Sequence, residues 1–248
     1  LDKNIRRHIY SIYGFVRLAD EIVDSFENYN QEYLLGQFEY DLHNAFLNKI
    51  SLNPILNSFQ NTYNQFNIGK ELTDKFMASM AMDLDKKEYN KSSYEEYILG
   101  SAEVVGLMCL KVFLNGDNEK YEELKPYAMR LGAAFQKINF LRDLKADYED
   151  LGRSYFPNLD IVNFDAKQKT IIEDEIEEDF KVALMGIKKL PKTSRQGVYL
   201  AYLYYQKLFL KIKQTPAKKI LLERIRIPNL KKIVLMLQSI IRYKTNLL

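Results

Sequence analysis

The sequence predicts an all-α protein that forms a single domain. Apolar residues recur at helical spacing almost throughout the 248 residues, as Ile5, Ile9, Ile12 and Val16 do near the start. No strand-like alternation, internal repeat or low-complexity linker interrupts this pattern. Because 47% of the residues are hydrophobic and only 10 are glycine and 6 proline, a mainly disordered or collagen-like chain is excluded. We therefore expect one helical domain over residues 1–248.

The predicted helices follow one another with short connections. They cover residues 5–23, 30–50, 53–66, 70–87, 93–114, 118–149, 166–189, 191–213 and 229–246. Five prolines fall where one helix should end or the next begin: Pro54, Pro157, Pro191, Pro216 and Pro228. Pro126 lies inside a predicted helix and marks either a helix start or a kink. The first residues, from Leu1 to Asn4, do not form a signal peptide, and we expect a short native segment to precede them.

Some residue types are too scarce for whole classes of site. Cys109 is the only cysteine, so an internal disulfide is impossible, and its apolar neighbours predict a small buried hydrophobic residue. His8 and His43 are far apart, which excludes a zinc site of the Cys/His type. No uninterrupted apolar stretch reaches the roughly 18–20 residues of a membrane-spanning helix. A reducing, cytoplasmic location is therefore expected.

Charge is distributed unevenly along the chain. Residues 188–248 contain 15 Lys and Arg and a single acid, Glu223, a balance of +14. The preceding 187 residues contain 21 bases and 32 acids, a balance of −11. Such a basic C-terminal quarter is either a solvated surface or a peripheral contact with the inner face of an anionic membrane. No nucleic-acid-binding motif is present, and no nucleic-acid partner is expected.

Two of the predicted helices each carry two aspartates four residues apart. Asp20 and Asp24 form the first pair, and Asp143 and Asp147 form the second. Side chains at this spacing lie on one face of a helix, with Cβ atoms about 5–6 Å apart. Both helices are apolar around most of their circumference, and a buried unpaired carboxylate costs several kcal/mol or changes its protonation state. These faces therefore require a positive charge.

The side chains on these faces suit magnesium. The second face continues with the amides of Gln136 and Asn139, and neither face contains His or Cys. Mg²⁺ prefers hard oxygen ligands together with water and substrate phosphates, and Mn²⁺ is an alternative. The candidate ligands are Asp20, Asp24, Asn139, Asp143 and Asp147. Alternatively, each aspartate is solvated or pairs locally with Arg17, Arg142 or Lys145; two copies of the arrangement, each beside an arginine, favour the metal.

These motifs resemble those of the squalene/phytoene synthases, which join two prenyl diphosphates head to head. The first is similar to that family's aspartate-rich motif and reads Tyr13-x-x-x-Arg17-x-x-Asp20-Glu21-x-x-Asp24. The second reads Gln136-x-x-Asn139-x-x-x-Asp143-x-x-x-Asp147. Residues 97–106 resemble the family's pocket-lining helix, residues 152–157 its Gly-Arg-Ile-Tyr-Phe-Pro-like run, and residues 223–232 its basic C-terminal segment. The resemblance implies the isoprenoid-synthase (terpenoid synthase) fold, an all-α bundle with a central cavity.

The resemblance also implies roles for individual residues. The candidate ligands named above would hold Mg²⁺, and four of them, Asp20, Asp24, Asp143 and Asp147, would be catalytic together with Tyr205. Tyr205 would lie near the reacting prenyl groups, where its ring could steady a cation or its hydroxyl accept a proton. The substrate-binding set is Tyr13, Arg17, Tyr97, Gln136, Asn139, Tyr155, Arg224 and Lys232, of which Tyr13, Arg17, Gln136, Arg224 and Lys232 would contact diphosphate.

The implied activity is the magnesium-dependent joining of two geranylgeranyl diphosphates to phytoene, in carotenoid biosynthesis. The intermediate would be a cyclopropylcarbinyl diphosphate. The nearest alternative is squalene or dehydrosqualene formation from farnesyl diphosphate. Squalene formation needs a reductant; no G-x-G-x-x-G fingerprint is present, but members of the family bind reductant without that motif. If the protein is a phytoene synthase, no NADPH is expected. From another class, a non-catalytic lipid-binding or assembly protein of the same fold is a further alternative.

Three features depart from the family's pattern. Glu21 replaces the aspartate usual in the middle of the first motif, so the carboxylate is kept but its reach differs. Glu103 stands where glycine is common, which alters that wall of the pocket. The family's serine-rich, phosphate-contacting segment would precede Leu1.

Overall fold

The computed structural model describes residues 1–85, 88–149, 152–157, 159, 161, 163–222, 224–229, 232, 236 and 239. Within these residues the chain forms ten α-helices and one π-helical turn, without a named strand, so the all-α prediction is confirmed. The elements are α1 (Lys3–Ser25), α2 (Gln31–Asn48), α3 (Pro54–Gln65), α4 (Lys70–Asp85), α5 (Lys91–Ile98), the π turn (Leu99–Glu103), α6 (Val104–Leu114), α7 (Asn118–Glu149), α8 (Ala166–Lys189), α9 (Lys192–Lys213) and α10 (Ala217–Ile220). The predicted helix over residues 229–246 lies almost wholly outside the described residues.

Side-chain capping marks several of the helix starts. Asn30, Asn53 and Asn90 precede α2, α3 and α5, and each side chain accepts a hydrogen bond from a backbone N–H of the first turn. Asp165 and Gln168 form a reciprocal capping box at the start of α8. Pro126 lies inside α7, which begins at Asn118, so this proline does not mark a helix start.

The predicted helix over residues 93–114 is divided by the π turn. A Cβ added at Gly100 would lie 2.6 Å from the carbonyl oxygen of Lys75 in α4, and one added at Gly132 in α7 would lie 2.6 Å from that of Ala102. The π turn is therefore held between two closely approaching backbones. The departure from α-helical geometry coincides with this packing against neighbouring helices. The local periodicity of the sequence contains no information about such contacts.

Two apolar clusters form the interior. In the first, built from α1 to α4 and α6, the ring of Phe15 stacks on Phe59 at 4.2 Å. In the second, built mainly from α5 and α7 to α9, Phe140 stacks on Tyr155 at 4.1 Å. Helix α7 contributes to both clusters, so it forms the central wall between them.

Among the described residues, one helical stretch meets the length and composition of a membrane span. It covers Lys91–Leu114, its most apolar window has a mean hydropathy of 1.7, and half of that window is buried inside the protein. Glu103 and Lys111 interrupt this stretch, so it is not the uninterrupted apolar run whose absence the sequence predicted. Because the stretch packs between α4 and α7, it serves here as an interior helix.

Candidate active site

The two aspartate pairs lie at one end of the bundle, joined by an arginine. Asp20 and Asp24 occupy the last turns of α1, and Asp143 and Asp147 the last turns of α7. Arg153, in the segment after α7, donates to the carboxylate of Asp24 at 2.8 Å, and its backbone N–H donates to the carbonyl of Asp147 at 2.7 Å. The fold thus brings together two motifs that are more than a hundred residues apart in sequence.

Negative charge accumulates at this end of the bundle. Burial, together with the neighbouring charge of Asp24, raises the pKa of Asp20 to about 6. Burial and the charges of Asp143 and Asp24 raise the pKa of Asp147 to about 7. Raised carboxyl pKa values mean that the protein alone does not compensate this charge, so the site favours a cation.

The donor set fits magnesium. Within the described residues, no three His, Cys, Asp or Glu side chains converge as a preformed metal cluster. Mg²⁺ does not require one, because it is usually held by one or two carboxylates with water and substrate phosphates completing its shell. The carboxylates of α1 and α7 and the amide of Asn139 offer only hard oxygens, as this ion prefers.

Arginines surround the aspartates. Arg17 pairs with Asp20 and with Glu21 on its own helix. Arg142 and Arg224 both pair with Asp143; Arg142 approaches to 2.5 Å and Nε of Arg224 to 2.6 Å.

The local ion pairs considered as an alternative to metal binding are therefore present for one aspartate of each pair. Lys145 instead approaches Glu149, at 3.6 Å. Asp24 and Asp147 take no part in these local pairs. Arg153 pairs with Asp24, and the charges of Arg153 and Asp24 both act on Asp147. Local pairing therefore neutralises the site only in part.

An apolar cavity of about 390 Å³ lies along α7, and its lining there ends at Gln136, seven residues before Asp143 of this carboxylate cluster. Its walls come from Leu1, the π turn, α6, α7, α8 and α9, and the lining positions on α7 run from Leu124 to Gln136, about 18 Å along the helix. Gln136 is the lining residue nearest the aspartates in sequence. A volume of this size lies within the usual range of small-molecule sites. The arrangement thus provides an apolar chamber with a polar, charged end.

Tyr205 connects the chamber to the polar end. Its ring stacks on Phe135 of the cavity wall at 3.9 Å, and its hydroxyl donates to Oδ1 of Asn139 at 3.2 Å. Burial raises its pKa, so the hydroxyl stays neutral. Gln136 approaches Asn139 at 3.5 Å. These three predicted site residues therefore lie together at the junction of cavity and carboxylates.

Cys109 lies in the cavity wall rather than in a fully packed core. It is partly exposed to the cavity, and burial raises its pKa to about 12. The thiol is thus a small neutral wall group.

Sequence reasoning missed a buried carboxylate beneath the site. Asp83 of α4 is 6% exposed and accepts hydrogen bonds from the hydroxyls of Tyr97 at 2.7 Å, Tyr155 at 3.1 Å and Tyr89 at 3.4 Å. Burial raises its pKa to about 7 although Arg153 lies 3.7 Å away. The signal in the sequence is an acid on the buried face of α4, seven residues after Phe76 and three after Met80.

The structure does not place Tyr97 and Tyr155, two predicted substrate-binding residues, in the cavity lining. Both are almost fully buried, both hydroxyls are engaged by Asp83, and neither residue lines the cavity. They support the site from below. Direct contact of either tyrosine with substrate stays a prediction.

Other predicted residues lie at the margin. Tyr13 is 64% exposed on α1, one turn before Arg17. Lys232 is exposed, with Nζ 5.8 Å from the ring centre of Tyr204. Glu103 ends the π turn without lining the cavity, and its pKa is raised by burial. Glu223 and Lys231 lie outside the described residues.

The chain is similar to known proteins over nearly all of its length. The family model for squalene/phytoene synthase matches residues 1–231. Phytoene synthase 1, chloroplastic, of Zea mays is 26% identical over 225 residues, which cover 82% of this chain and 54% of that protein. Presqualene diphosphate synthase of Rhodopseudomonas palustris is 27% identical over 156 residues, 62% of this chain and 53% of that protein. The chain thus spans about half the length of these two relatives.

Solved structures agree on the fold. The crystal structure of a dehydrosqualene synthase in complex with ligand superposes with a TM-score of 0.82 and 22% identity, covering 99% of this chain and 89% of that one. This likeness confirms the predicted terpenoid-synthase fold. With the whole-length family match, the conclusion is that this chain belongs to the squalene/phytoene synthase family.

Proposed function

We propose that this protein joins two geranylgeranyl diphosphates head to head, forming phytoene through a cyclopropylcarbinyl diphosphate. The observation that carries the proposal is an apolar cavity whose lining reaches Gln136, one turn of α7 before Asn139 and two turns before Asp143. Such a site suits a substrate with a long apolar tail and a diphosphate that needs cationic neutralisation. Family membership supports the same class of reaction.

The carboxylate cluster would hold magnesium or manganese. The ligands would be Asp20, Asp24, Asn139, Asp143 and Asp147, whose donors are all hard oxygens. A bound Mg²⁺ supplies Lewis acidity and a template for the departing diphosphate. No separate reductant is invoked for phytoene.

Basic and polar side chains at the same end would bind the diphosphate. Arg17 and Arg224 already contact Asp20 and Asp143, so their guanidinium groups are in position to donate charge-assisted hydrogen bonds to phosphate oxygens. Such donors stabilise the negative charge that develops on the leaving group. Tyr13, Gln136 and Lys232 would complete this set.

Tyr205 would act on the organic part of the substrate. Its ring forms part of the junction between cavity and carboxylates, where it can stabilise a passing allylic cation. Its hydroxyl, held by Asn139 at 3.2 Å, is oriented toward the polar end and could take a proton. The surrounding apolar wall excludes water, which would otherwise capture the cation.

The choice of a C20 over a C15 substrate rests on the relatives. The maize phytoene synthase matches 82% of this chain, the presqualene diphosphate synthase 62%. Farnesyl diphosphate remains the alternative substrate, because both relatives have nearly the same identity to this chain.

Product identification separates the candidate functions. Purified protein with Mg²⁺ is incubated with geranylgeranyl or farnesyl diphosphate, with and without NADPH, and products are identified by mass spectrometry. Phytoene from the C20 substrate is expected. Squalene or dehydrosqualene from the C15 substrate alone would support the alternative, and unaltered diphosphates would support a non-catalytic lipid-binding protein. Asp143→Ala should abolish product, whereas Asp174→Ala, an exposed carboxylate on α8, should not.

A cavity variant tests chain length separately. One isoprene unit, about 5 Å of extended chain, matches one helical turn of 5.4 Å. Ala128 lines the cavity one helical turn after Leu124, the α7 lining residue farthest from Gln136. Ala128→Phe should therefore shift preference from C20 toward C15 substrate by blocking the last turn. An unchanged preference would show that this wall does not measure the prenyl chain.

A further inference from the structure

Helix α2 carries apolar side chains on two opposite faces. The inner face packs on α1, α3 and α4 and buries Leu35, Phe38, Leu42 and Ala45. The outer face carries Tyr33, Tyr40 and Leu47, all exposed and spaced seven residues apart. Positions seven apart lie two turns apart on the same side of a helix. This second apolar face is therefore turned away from the core.

The outer face continues past both ends of the helix. Exposed apolar side chains stand just before α2, at Tyr29, and just after it, at Ile50 and Leu52. We call these six residues the outer stripe, and each of them is at least 63% exposed. Together they expose on the order of 700 Å², close to the roughly 800 Å² that each partner contributes to a standard protein interface. A patch of this size indicates an interaction site.

The outer stripe is symmetric about Tyr40. Tyr33 stands seven residues before Tyr40 and Leu47 seven residues after it. Beyond them, the exposed tyrosine eleven residues before is matched by an exposed isoleucine and leucine ten and twelve residues after. If two such helices pack antiparallel about a two-fold axis at Tyr40, residues equally far before and after it face one another. Every large side chain of the stripe then meets an apolar side chain of the other copy.

Charges at the two ends of the stripe favour the antiparallel arrangement. Glu32 is exposed in the first turn of α2, and Lys49 is exposed directly after its last turn. An antiparallel pair brings Lys49 of each copy to the end where Glu32 of the other copy lies, and it opposes the two helix dipoles. A parallel pair would bring like charges together at both ends. The stripe thus complements itself in charge as well as in shape.

We propose that the outer stripe is a homodimer interface, in which α2 packs antiparallel on α2 of a second copy of this chain. A closed two-fold dimer is the commonest assembly of soluble proteins. An anionic bilayer is a poorer occupant, because α2 contains Glu32, Glu39 and Asp41 and no Lys or Arg. No residue of α2 is among the described residues that line the cavity, so the interface is separate from the proposed active site.

Sedimentation velocity over a wide range of concentrations tests the proposal on the full chain. A dimer with a Kd in the micromolar range or tighter is expected. Tyr33→Ser/Tyr40→Ser/Leu47→Ser should weaken the dimer at least about 100-fold, because it truncates the centre of the interface in both copies. The matched control removes three exposed apolar side chains elsewhere, Tyr10→Ser/Ile171→Ser/Leu210→Ser, and should dimerise as the unmodified protein does. Circular dichroism checks that both variants remain helical.

A charge exchange tests the same contact without removing apolar side chains. Lys49→Glu and Glu32→Lys should each weaken the dimer about tenfold, because two-fold symmetry repeats the altered pair at both ends. The double variant Lys49→Glu/Glu32→Lys restores opposite charges at each end. It should therefore recover the affinity of the unmodified protein.

Cross-linking measures the orientation of the two helices. Cys109, the only native cysteine, lies in the cavity wall, so the unmodified protein should not cross-link between copies. Tyr40→Cys places a thiol at the two-fold axis and should give a covalent dimer with a short bismaleimide. Tyr33→Cys should not, because in the antiparallel pair its two copies are separated by fourteen residues of helix, about 21 Å.

Three results would overturn the proposal. The first is a protein that stays monomeric at every concentration, including one whose outer-stripe variant alone stops binding vesicles, which would assign the face to a membrane. The second is a dimer that the outer-stripe variant leaves intact, or that the control weakens as much. The third is cross-linking through Tyr33→Cys in preference to Tyr40→Cys.

Discussion

Replacing Arg153 should destabilise the protein more than any surface substitution. The guanidinium is 6% exposed and donates to the carboxylate of Asp24 at 2.8 Å. It also donates to the backbone carbonyls of Val23 at 3.3 Å and of Asp83 at 2.9 Å, and to the Tyr155 oxygen at 3.3 Å. One side chain thus connects α1, α4 and the segment after α7.

The size of the effect follows from what Arg153→Met leaves behind. The carboxylate of Asp83, 6% exposed and 3.7 Å from the guanidinium, would keep its tyrosine donors but lose its cation. Breaking a buried ion pair costs about 3–5 kcal/mol, a large part of the roughly 5–15 kcal/mol by which a domain is stable. Asp24 adds little, because its side chain is 37% exposed.

The loss should depend on pH. The folded-state pKa of Asp83 is raised to about 7, and removing Arg153 raises it further. For an acid whose pKa is raised by folding, stability is lost as pH rises through the interval between its unfolded and folded values. Arg153→Met should therefore be more destabilising at pH 8 than at pH 5, where Asp83 is protonated.

Urea unfolding followed by circular dichroism, in EDTA, measures these differences. The double variant Arg153→Met/Asp83→Asn should be more stable at pH 8 than Arg153→Met alone, because no uncompensated charge stays buried. Arg6→Met, an exposed arginine, should change stability by no more than about 0.5 kcal/mol. A loss below about 1 kcal/mol, or one independent of pH and of Asp83, would refute the reasoning.

Three further predictions follow from the site and its supports. Asp147→Asn should reduce the fall in stability between pH 5 and pH 8 in EDTA, because the raised pKa of this carboxyl, about 7, makes its folded state lose stability over that interval; an unchanged slope in urea titrations would contradict this. Gly186→Ala should cost about 1–3 kcal/mol in thermal unfolding, since its Cβ would lie 2.2 Å from that of Tyr127, whereas Gly36→Ala has open space and should be neutral or stabilising. Tyr205→Phe should lower kcat about 100-fold while KM changes little, if the hydroxyl takes part in proton transfer; steady-state rates equal to wild type would remove that role.

The helices were largely predictable because helical periodicity is local. The predicted spans 118–149 and 166–189 coincide with α7 and α8. The exception is the span 93–114, divided by a π turn where Gly100 and Gly132 allow neighbouring backbones to approach closely. That approach depends on packing against α4 and α7, which lie outside any short stretch of sequence around the π turn.

The candidate site was predictable in part. Spacing placed both members of each aspartate pair on one helix face, and the structure brings the two faces together through Arg153. The environment of Tyr97 and Tyr155 was not predictable, because it depends on Asp83, an acid with no motif around it. Burial of a single polar residue becomes visible only when its neighbours are known.

By itself, the sequence determined the all-α class, the aspartate faces and the opposition between an acidic body and a basic last quarter. These properties depend on residue type and on the helical period of 3.6 residues, both of which can be read from short stretches of sequence. The tertiary structure alone decided that Arg153 pairs with Asp24 across 129 residues, that an apolar cavity extends along α7 to Gln136, and that the basic quarter meets the site through Arg224. Contacts of that sequence separation exist only once the helices have packed, because packing, not periodicity, chooses which faces meet.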